Sequence, residues 1–486
     1  MAAQQDARGE RVVIGVDSST QATKAVAVGV DTGTVLGTGR HAHSVTSGAG
    51  RESDPEQWWA ALTGAVAATG HAGRAEAVAV AGQQHGLVAL GADGRPVRPA
   101  LLWNDVRSAP QAAALVERFG AEELAERTGS VPTAAFTIAK WAWLRENEPA
   151  AADRVAAVRL PHDYLTEQLT GAATTDRGDV SGTGWWTPHG YDGELLGHVG
   201  LSAAALPEVV APGTAAGRVR GGDGPLRPGT LVAAGTGDNM AAALGLGLRP
   251  GSPVVSLGTS GTVFAVTRGR PRDPSGVVAG FADALGGWLP LACTLNCTLA
   301  VDRFAALLGR DREAVEPGGT AVVLPFLDGE RTPNLPYASG LLHGLRHDTT
   351  PGQVLQAAYD GAAYSLLAAV DDVLRAGGEE NDPLAPLLLV GGGARGTAWR
   401  ETMRRLSGRP VQVPAAEELV ALGAAAQAAG VLTGEAADEV ARRWGTGRPA
   451  VVLDPRPADT EALARIGDTL RRSHDLMARQ LPAAEG

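Results

Sequence analysis

The chain opens with short apolar runs that end in small polar residues, which is the pattern of buried strands followed by turns. Residues 12–16 are apolar and end at Asp17, and a second apolar segment covers residues 25–30. The turn between them is made of the small hydroxyl residues Ser18, Ser19 and Thr20. The pattern predicts a strand meander whose first turn is polar and has the size to hold a phosphate group.

The second half of the chain repeats this arrangement. Strands are predicted over residues 253–257 and 262–266, and a tight turn joins them through Gly258, Thr259, Ser260 and Gly261. A later strand at 387–390 runs into a glycine turn that contains Gly392, Gly393 and Ala394, and a helix follows from about residue 396. A strand, a glycine turn and a helix in this order let backbone N–H groups face a ligand.

Strands and helices alternate along the chain, which predicts an α/β fold. Because similar strand–turn–strand units occur once in each half, we expect two related domains that flank a ligand cleft. Pro250 interrupts the pattern, so the predicted domains are residues 1–249 and 250–486. The tail beyond residue 433 is predicted to be mainly helical and is assigned no chemistry.

Composition and charge exclude several kinds of partner. At 486 residues the chain is too long for one compact core. Its net charge of −11 argues against a nucleic-acid or anionic-membrane surface, since both need clustered positive charge. No signal-peptide pattern or long apolar run is present, so we expect a cytoplasmic protein with no membrane or nucleic-acid partner. A homodimer is compatible with the sequence, which does not fix the oligomeric state.

The cysteines Cys293 and Cys297 lie in a segment that reads as helical. Four-residue spacing on a helix could supply half of a metal site. No second ligand pair accompanies them, so two small core residues are the favoured interpretation.

The two hydroxyl turns suggest phosphoryl transfer, which needs donors around the phosphates and a carboxylate near the metal. Backbone N–H groups of both turns could supply the donors, and Asp17 could orient Mg²⁺ through its waters. Each turn alone would more often be an ordinary hairpin, but its recurrence in both halves favours the functional interpretation. No G-x-x-x-x-G-K-[ST] motif is present, so a classical P-loop is absent and ATP would have to bind through the two hairpins.

Asp238 follows a predicted strand at 231–234 in a glycine-rich stretch and precedes a helix. An aspartate there is often a helix N-cap. It could also be a general base that takes the proton from a sugar hydroxyl as the oxygen attacks the γ-phosphate. Capping occupies one carboxylate oxygen, so both interpretations can hold together.

Two polar loops in the first half each follow an apolar strand and suggest a polyol site, which needs several donors and acceptors and an aromatic face. Taken singly, the histidine and the tryptophan would more often be structural. The candidate sugar contacts from these loops are Gln84, His85, Trp103, Asn104 and Asp105, and Arg107 follows them.

Together these motifs resemble the FGGY carbohydrate kinases. The motifs that carry the resemblance are Val-Asp-Ser-Ser-Thr-Gln-Ala-Thr-Lys (16–24), Gly-Gln-Gln-His-Gly (82–86), Leu-Trp-Asn-Asp-Val-Arg (102–107), Gly-Asp-Asn (237–239), Ser-Leu-Gly-Thr-Ser-Gly (256–261), Gly-Glu-Arg-Thr-Pro (329–333) and Gly-Gly-Gly-Ala-Arg (391–395). The resemblance covers about 420 residues and implies an actin-like ATPase (ribonuclease H-like) fold with ATP, Mg²⁺ and a sugar in the cleft. It implies that Asp238 is the base, that Asp17 lies near the metal, and that Asn239 joins the sugar contacts. Gly258–Gly261 and Lys24 would contact the phosphates, and Gly392–Ala394 the adenosine.

The resemblance is closest to the members that convert D-xylulose to D-xylulose 5-phosphate, but the chain departs from them at two places. Ser18-Ser19-Thr20 stands where many members have a Gly-Thr pair, and serine restricts φ more than glycine. Gln84 stands where a methionine is common, so an amide replaces an apolar contact. Another ketopentose, pentitol or related sugar therefore remains an alternative substrate, and a catalytically silent binding protein is the alternative to an enzyme.

Overall fold

The computed structural model describes residues 9–46, 50–222 and 224–479, which form two seven-stranded sheets. The first sheet contains β1 (Val12–Ser18), β2 (Ala22–Gly29), β3 (Val35–Ala42), β4 (Ala75–Gly82), β5 (Ala215–Arg218), β6 (Leu231–Ala233) and β7 (Thr236–Gly237). The second contains β8 (Pro253–Leu257), β9 (Gly261–Ala265), β10 (Ala279–Ala282), β11 (Trp288–Thr294), β12 (Leu387–Val390), β13 (Val411–Pro414) and β14 (Pro449–Leu453). Five short strand pairs complete the described β-structure: Glu52–Ser53 with Ala100–Leu101, Val88–Leu90 with Ala157–Arg159, Thr174–Thr175 with Glu208–Val209, Trp186–Thr187 with Gly190–Tyr191, and Val322–Leu324 with Leu341–His343.

Helices cover both sheets and the space between them. In chain order they are α1 (Pro55–Ala68), α2 (Ala109–Phe119), α3 (Ala121–Thr128), α4 (Thr137–Asn147), α5 (Pro149–Ala152), α6 (Pro161–Thr170), α7 (Arg177–Val180), α8 (Gly193–His198), α9 (Asp238–Leu246), α10 (Thr298–Leu307), α11 (Pro351–Ala376), α12 (Thr397–Ser407), α13 (Leu419–Thr433), α14 (Ala437–Trp444) and α15 (Thr460–Met477). Short 3₁₀ turns cover Ala72–Arg74, Ala203–Ala205 and Gly392–Arg395.

The two sheets share one local topology. In the first, β1 pairs antiparallel with β2 and parallel with β4. In the second, β8 pairs antiparallel with β9 and parallel with β12. The two hairpin turns therefore follow equivalent strands, and the glycine turn after β12 lies at the same edge of the second sheet as its hairpin turn. The predicted α/β architecture and the repeated strand–turn–strand units are confirmed.

Helix α13 crosses back from the second half of the chain and packs on the first sheet and on α9. A Cβ atom on Gly423 would lie 1.8 Å from the carbonyl oxygen of Ala241 in α9, and one on Gly15 would lie 1.9 Å from that of Ala421. Glycine is therefore required where the backbones meet. Because β1 ends near Asp17 and α9 begins at Asp238, this one helix fixes the spacing of two predicted catalytic elements.

Because α13 packs on the first sheet, the predicted division between residues 249 and 250 does not separate the two halves completely in space. The division stays a prediction for the chain, while in space α13 packs against the first sheet and α14 packs against α13 and α9. No single helix in the described ranges is long and apolar enough to span a membrane. Among the helices that the structure describes, α13 and α14 pass that test only as a pair, and they meet at 115° with α13 buried against the sheet.

Three predicted details differ from the structure. The segment around the cysteines is not helical, because Cys293 pairs with Thr262 in the β11–β9 ladder and Cys297 precedes α10. The tail is mainly helical as expected, but it also contains the edge strand β14, whose apolar residues pair with β13. The helix expected after Asp238 begins at Asp238 itself, and its N-cap position is Gly237.

Candidate active site

A cavity of about 260 Å³ lies between the two halves of the molecule. The first half contributes residues that follow β4 and β7, and the second contributes β9, β10, β11 and the loop after Asp328. The polar lining residues are Gln84, His85, Trp103, Thr133, Asp238, Asn239, Thr262, Cys293 and Arg331. The volume and the mixture of aromatic, amide and charged groups suit a small polyol.

Asp238 lies on the wall of this cavity as the first residue of α9. Its Oδ1 atom accepts hydrogen bonds from Asn239, from the backbone N at 2.9 Å and from Nδ2 at 3.0 Å. No described residue donates a hydrogen bond to Oδ2, so this oxygen is available to accept a proton. Burial, together with the negative charges of Asp17 and Asp179, raises the pKa of Asp238 to about 7.

Behind Asp238 lies a buried cluster of one histidine and three carboxylates. His162 Nδ1 is 2.8 Å from Asp179 Oδ2, and its Nε2 is 3.2 Å from Asp163 Oδ1. Burial opposes the charged form of His162, but the charges of Asp163, Asp179 and Asp176 outweigh burial and raise its pKa to about 9. Asp176 Oδ2 also accepts the hydroxyl of Thr236 at 2.8 Å, two residues before Asp238. The cluster therefore anchors the strand that carries the candidate base.

Gln84 presents a free amide donor at the cavity. Its Oε1 accepts a hydrogen bond from Asn239 Nδ2 at 2.8 Å, which fixes the orientation of the side chain. Its Nε2 is buried and has no partner among the described residues. A buried amide without a partner is costly, so this group is suited to a ligand oxygen.

His85 is held in a left-handed backbone conformation with φ of 66°, which costs a non-glycine residue about 1–2 kcal/mol. Its ring stacks on Phe136 with the ring centroids 5.1 Å apart. Burial and the charge of Lys140 lower its pKa to about 3, so the ring is neutral. Because Nδ1 must donate to the carbonyl oxygen of Gly182 at 2.8 Å, Nε2 is an acceptor.

The Trp103 loop connects the cavity to the first hydroxyl turn. Trp103 is 43% exposed, lines the cavity and donates from Nε1 to Thr20 Oγ1 at 3.2 Å. Asp105 lies below it, where its carboxylate accepts hydrogen bonds from Arg51 N at 2.9 Å and Arg107 Nη2 at 2.6 Å. The structure thus brings Trp103 to the cavity but not Asn104 or Asp105. We interpret Asp105 as the residue that holds the loop.

The first hydroxyl turn begins at the end of β1. Asp17 is 3% exposed, and its Oδ1 accepts the hydroxyl of Ser19 at 2.6 Å. Its Oδ2 is 3.8 Å from Lys24 Nζ, which also lies 2.8 Å from Glu418 Oε2 at the start of α13. Burial raises the pKa of Asp17, while Ser19 and Lys24 oppose that shift. A buried carboxylate with one oxygen free of hydrogen bonds from the described residues is suited to a hydrated cation.

The second hydroxyl turn and the glycine turn lie side by side. Thr259 and Ser260 are exposed, and the carbonyl oxygen of Gly258 accepts hydrogen bonds from the backbone and the hydroxyl of Thr298. Gly391 adopts φ of 84°, and a Cβ there would lie 2.9 Å from the carbonyl oxygen of Leu257. Gly392 is exposed to open space, whereas Gly393 and Ala394 are buried beneath it.

Known proteins match both halves of the chain. The model of the N-terminal domain of the FGGY family of carbohydrate kinases matches residues 12–245, and that of the C-terminal domain matches residues 254–431. The chain belongs to the FGGY family of carbohydrate kinases. It is 67% identical to a xylulose kinase of Streptomyces coelicolor over 96% of this chain and 98% of that protein. It is 33% identical to one of Escherichia coli over 77% and 80%.

Solved structures agree with this assignment. The xylulose kinase of Bifidobacterium adolescentis is 34% identical, with a TM-score of 0.82 over 95% of this chain and 99% of that one. A glycerol kinase of Plasmodium falciparum, 17% identical with a TM-score of 0.85 over 97% and 99%, shows the same fold. The two-domain architecture of this FGGY kinase is therefore the actin-like ATPase fold.

Sequence reasoning assigned no role to several groups that line the cavity of this FGGY kinase. They come mainly from the second half of the chain: Thr262, Val277, Val278, Phe281, Leu291, Cys293 and Arg331. The Gly-Glu-Arg-Thr-Pro motif contributes to the family resemblance, so its arginine, Arg331, could have been proposed from the sequence as a site residue. The apolar residues carry no such signal, since they read as ordinary strand residues.

The pKa of Asp238 predicts the pH dependence of this FGGY kinase. A general base must be unprotonated, so with Asp238 as the candidate base kcat/KM for the sugar should rise with pH through about 7 and reach a plateau above it. In Asp179→Asn one of the negative charges that raise this pKa is removed, so the acidic limb should move to lower pH. Initial rates between pH 5 and 9 check both expectations, and a wild-type limb near pH 4 would contradict them.

Proposed function

We propose that the chain is an ATP-dependent D-xylulose kinase that forms D-xylulose 5-phosphate and ADP. The observation that carries the proposal is one cavity in which a carboxylate of raised pKa, Asp238, adjoins a free donor of Gln84 and a free acceptor of His85. The high identity to the Streptomyces coelicolor xylulose kinase supports D-xylulose as the sugar. A catalytically silent binder would need neither Asp17 nor Asp238.

The sugar binds against the first-half wall. Gln84 Nε2 donates a hydrogen bond to one sugar oxygen, and His85 Nε2 accepts a hydrogen bond from a neighbouring hydroxyl. Asn239 keeps both the Gln84 amide and the Asp238 carboxylate in place. Trp103 offers an aromatic face to the C–H side of the sugar. The terminal hydroxyl then lies next to the free oxygen of Asp238.

Phosphoryl transfer follows from this placement. The Asp238 carboxylate takes the proton of the terminal hydroxyl as its oxygen bonds to the γ-phosphorus, and the bond from that phosphorus to the β–γ bridging oxygen breaks to release ADP. Backbone N–H groups and hydroxyls at Ser18–Thr20 and at Gly258–Gly261 bind the phosphates, and Lys24 contributes its charge. The adenosine lies against Gly392, beneath which Gly393 and Ala394 are buried.

Mg²⁺ fits the residues at the first hydroxyl turn. The described residues contain no group of three or more carboxylate, histidine or cysteine side chains arranged around a metal, so a dedicated protein cage is not the mode of binding. Asp17 offers one oxygen that accepts no hydrogen bond from the described residues, which suits a metal held through water and substrate phosphates. Bound there, Mg²⁺ would offset the negative charge of the phosphates.

A panel of sugars tests the proposed substrate. Coupled ADP release should give the highest kcat/KM with D-xylulose and lower values with D-ribulose, L-xylulose, xylitol, glycerol and D-gluconate. Efficient turnover of another sugar with none of D-xylulose would replace the substrate and keep the kinase assignment. Absence of turnover with every sugar would instead favour a binding protein.

Gln84→Met should weaken sugar binding. The substitution removes the free amide donor and keeps a side chain of similar length, so KM for D-xylulose should rise by about 3–10-fold with kcat changed less. KM for ATP should stay the same, because Gln84 lies at the sugar end of the cleft. The steady-state parameters for both substrates measure this, and an unchanged sugar KM would show that the amide does not contact the sugar.

A further inference from the structure

Arg331 brings a positive charge to the sugar cavity from the second half of the chain. Among the described residues that line the cavity, it is the only lysine or arginine. Its guanidinium forms no ion pair within the described ranges, and the side chain is exposed to the cleft. Its charge adds to burial and to Lys140 in lowering the pKa of His85, and it opposes the effect of burial on the pKa of Cys293. Arg331 thus lines the same cavity as His85 and Cys293, and its side chain forms a hydrogen bond with the Cys293 thiol.

The loop that carries Arg331 is fixed from below by Glu330. Glu330 is 1% exposed, and its carboxylate accepts backbone N–H groups of Leu295 at 2.6 Å and Arg331 at 2.7 Å. It also accepts Asn296 Nδ2 at 3.0 Å, and that amide donates as well to the carbonyl oxygen of Gly329 at 2.7 Å. The hydroxyl of Thr332 donates to the carbonyl oxygen of Cys293 at 2.8 Å. Glu330 and Asn296 therefore fix the backbone of this loop, and the flexible side chain of Arg331 extends from it to the cavity.

The wall around Arg331 is otherwise poor in hydrogen-bonding groups. Its neighbours in the lining are mainly apolar: Val277, Val278, Ala279, Phe281 and Leu291. The opposite wall carries the amides of Gln84 and Asn239, the imidazole acceptor of His85 and the carboxylate of Asp238. A polyol between these walls has oxygens on both of its faces. Arg331 is the main group that can donate hydrogen bonds to the oxygens on the face toward the second domain.

We propose that Arg331 is a sugar-binding residue that donates hydrogen bonds from the second domain to oxygens of the sugar. The proposal rests on the proposed function, because it takes the cavity as the sugar site. Since Asp238 and Gln84 contact the sugar from the first domain, the sugar joins the two walls. Sugar binding is then linked to closure of the cleft, and the spacing between the walls selects the length and stereochemistry of the sugar.

Calorimetric titration of the full chain tests the proposal. In Arg331→Ala the Kd of the sugar, measured without nucleotide, should rise by about tenfold or more, as expected for loss of hydrogen bonds from a charged donor. The Kd of MgADP, measured without sugar, should change by less than about twofold. Arg331→Lys should recover part of the sugar affinity, because it keeps the charge and loses the planar fork. Arg471→Ala, an exposed arginine of α15, is the matched control and should leave both constants unchanged.

The sugar in these titrations is the one that the wild type phosphorylates most efficiently in the panel. If D-xylulose is the wrong substrate, the sugar panel with the wild type shows it. If the role given to Arg331 is wrong, only the titrations of the variants show it. A sugar Kd within twofold of wild type in Arg331→Ala would overturn the proposal. An equal loss of MgADP affinity would also overturn it and would assign the guanidinium to the phosphates. The Tm of each variant, measured by thermal unfolding, should match that of the wild type, which verifies that the fold is retained.

Discussion

Asp238→Asn should reduce kcat for sugar phosphorylation by about 10²–10⁴-fold, the usual contribution of a general base. Asparagine keeps the shape of the side chain, and its oxygen can still accept the hydrogen bonds that Asn239 donates to Asp238 Oδ1. It cannot take the proton of the attacking hydroxyl. Substrate affinity should therefore change much less than kcat. Coupled ADP release at saturating sugar and ATP measures the loss.

Asp459→Asn is a suitable control for that experiment. Asp459 is likewise an aspartate at the start of a helix, where it is the N-cap of α15 and accepts a hydrogen bond from Ala462 N in the first turn. It lies outside the cavity lining and should retain wild-type kcat. If Asp238→Asn kept kcat within about tenfold of wild type, the helix start would be the main role of Asp238, and the base would have to be sought elsewhere.

Asp17→Asn should have the second largest effect, with kcat reduced by about 10²-fold or more, as for the loss of one group that stabilises transition-state charge. The variant should require higher Mg²⁺ concentration, because a neutral amide attracts the hydrated cation less. Loss of the Asp17 charge also lowers the pKa of Asp238, so the acidic limb of the remaining activity should move to lower pH. Rates over a Mg²⁺ series at several pH values measure both effects.

Glu418→Gln separates the metal role of Asp17 from the ion pair beside it. Glu418 accepts Lys24 Nζ at 2.8 Å and contributes a smaller charge effect at Asp17. Its loss should leave the Mg²⁺ requirement near that of the wild type. Equal Mg²⁺ requirements in the wild type and in Asp17→Asn would contradict the assignment of Asp17 to the metal.

The strands, the hydroxyl turns and the position of Asp238 could be predicted from the sequence because their signals are local. An apolar run, a polar turn and a helix start can each be recognised within about ten residues of sequence. Asp238 also shows the limit of such signals. The sequence left a helix cap and a base as alternatives, and the structure shows its carboxylate on the cavity wall beside Gln84 and Asn239.

Contacts between distant segments could not be predicted. Asp105 stands in a polar loop like its neighbours, but Arg51 and Arg107 occupy its carboxylate and hold it below the cavity. Helix α13 is apolar on every side, which indicates burial but not the partner it packs against. Arg331 reaches the site because Glu330 fixes its loop against the end of β11, a contact between segments more than 30 residues apart.

The central claim is that Asp238 activates the terminal hydroxyl of D-xylulose for attack on ATP. Phosphorus–proton correlation NMR of a reaction containing wild-type protein, ATP, Mg²⁺ and D-xylulose tests it most directly, with a parallel reaction containing Asp238→Asn. We expect a new phosphate ester coupled to the C5 methylene protons in the wild-type reaction and almost none with the variant over the same time. A phosphate on another carbon, or equal product from both proteins, would contradict it.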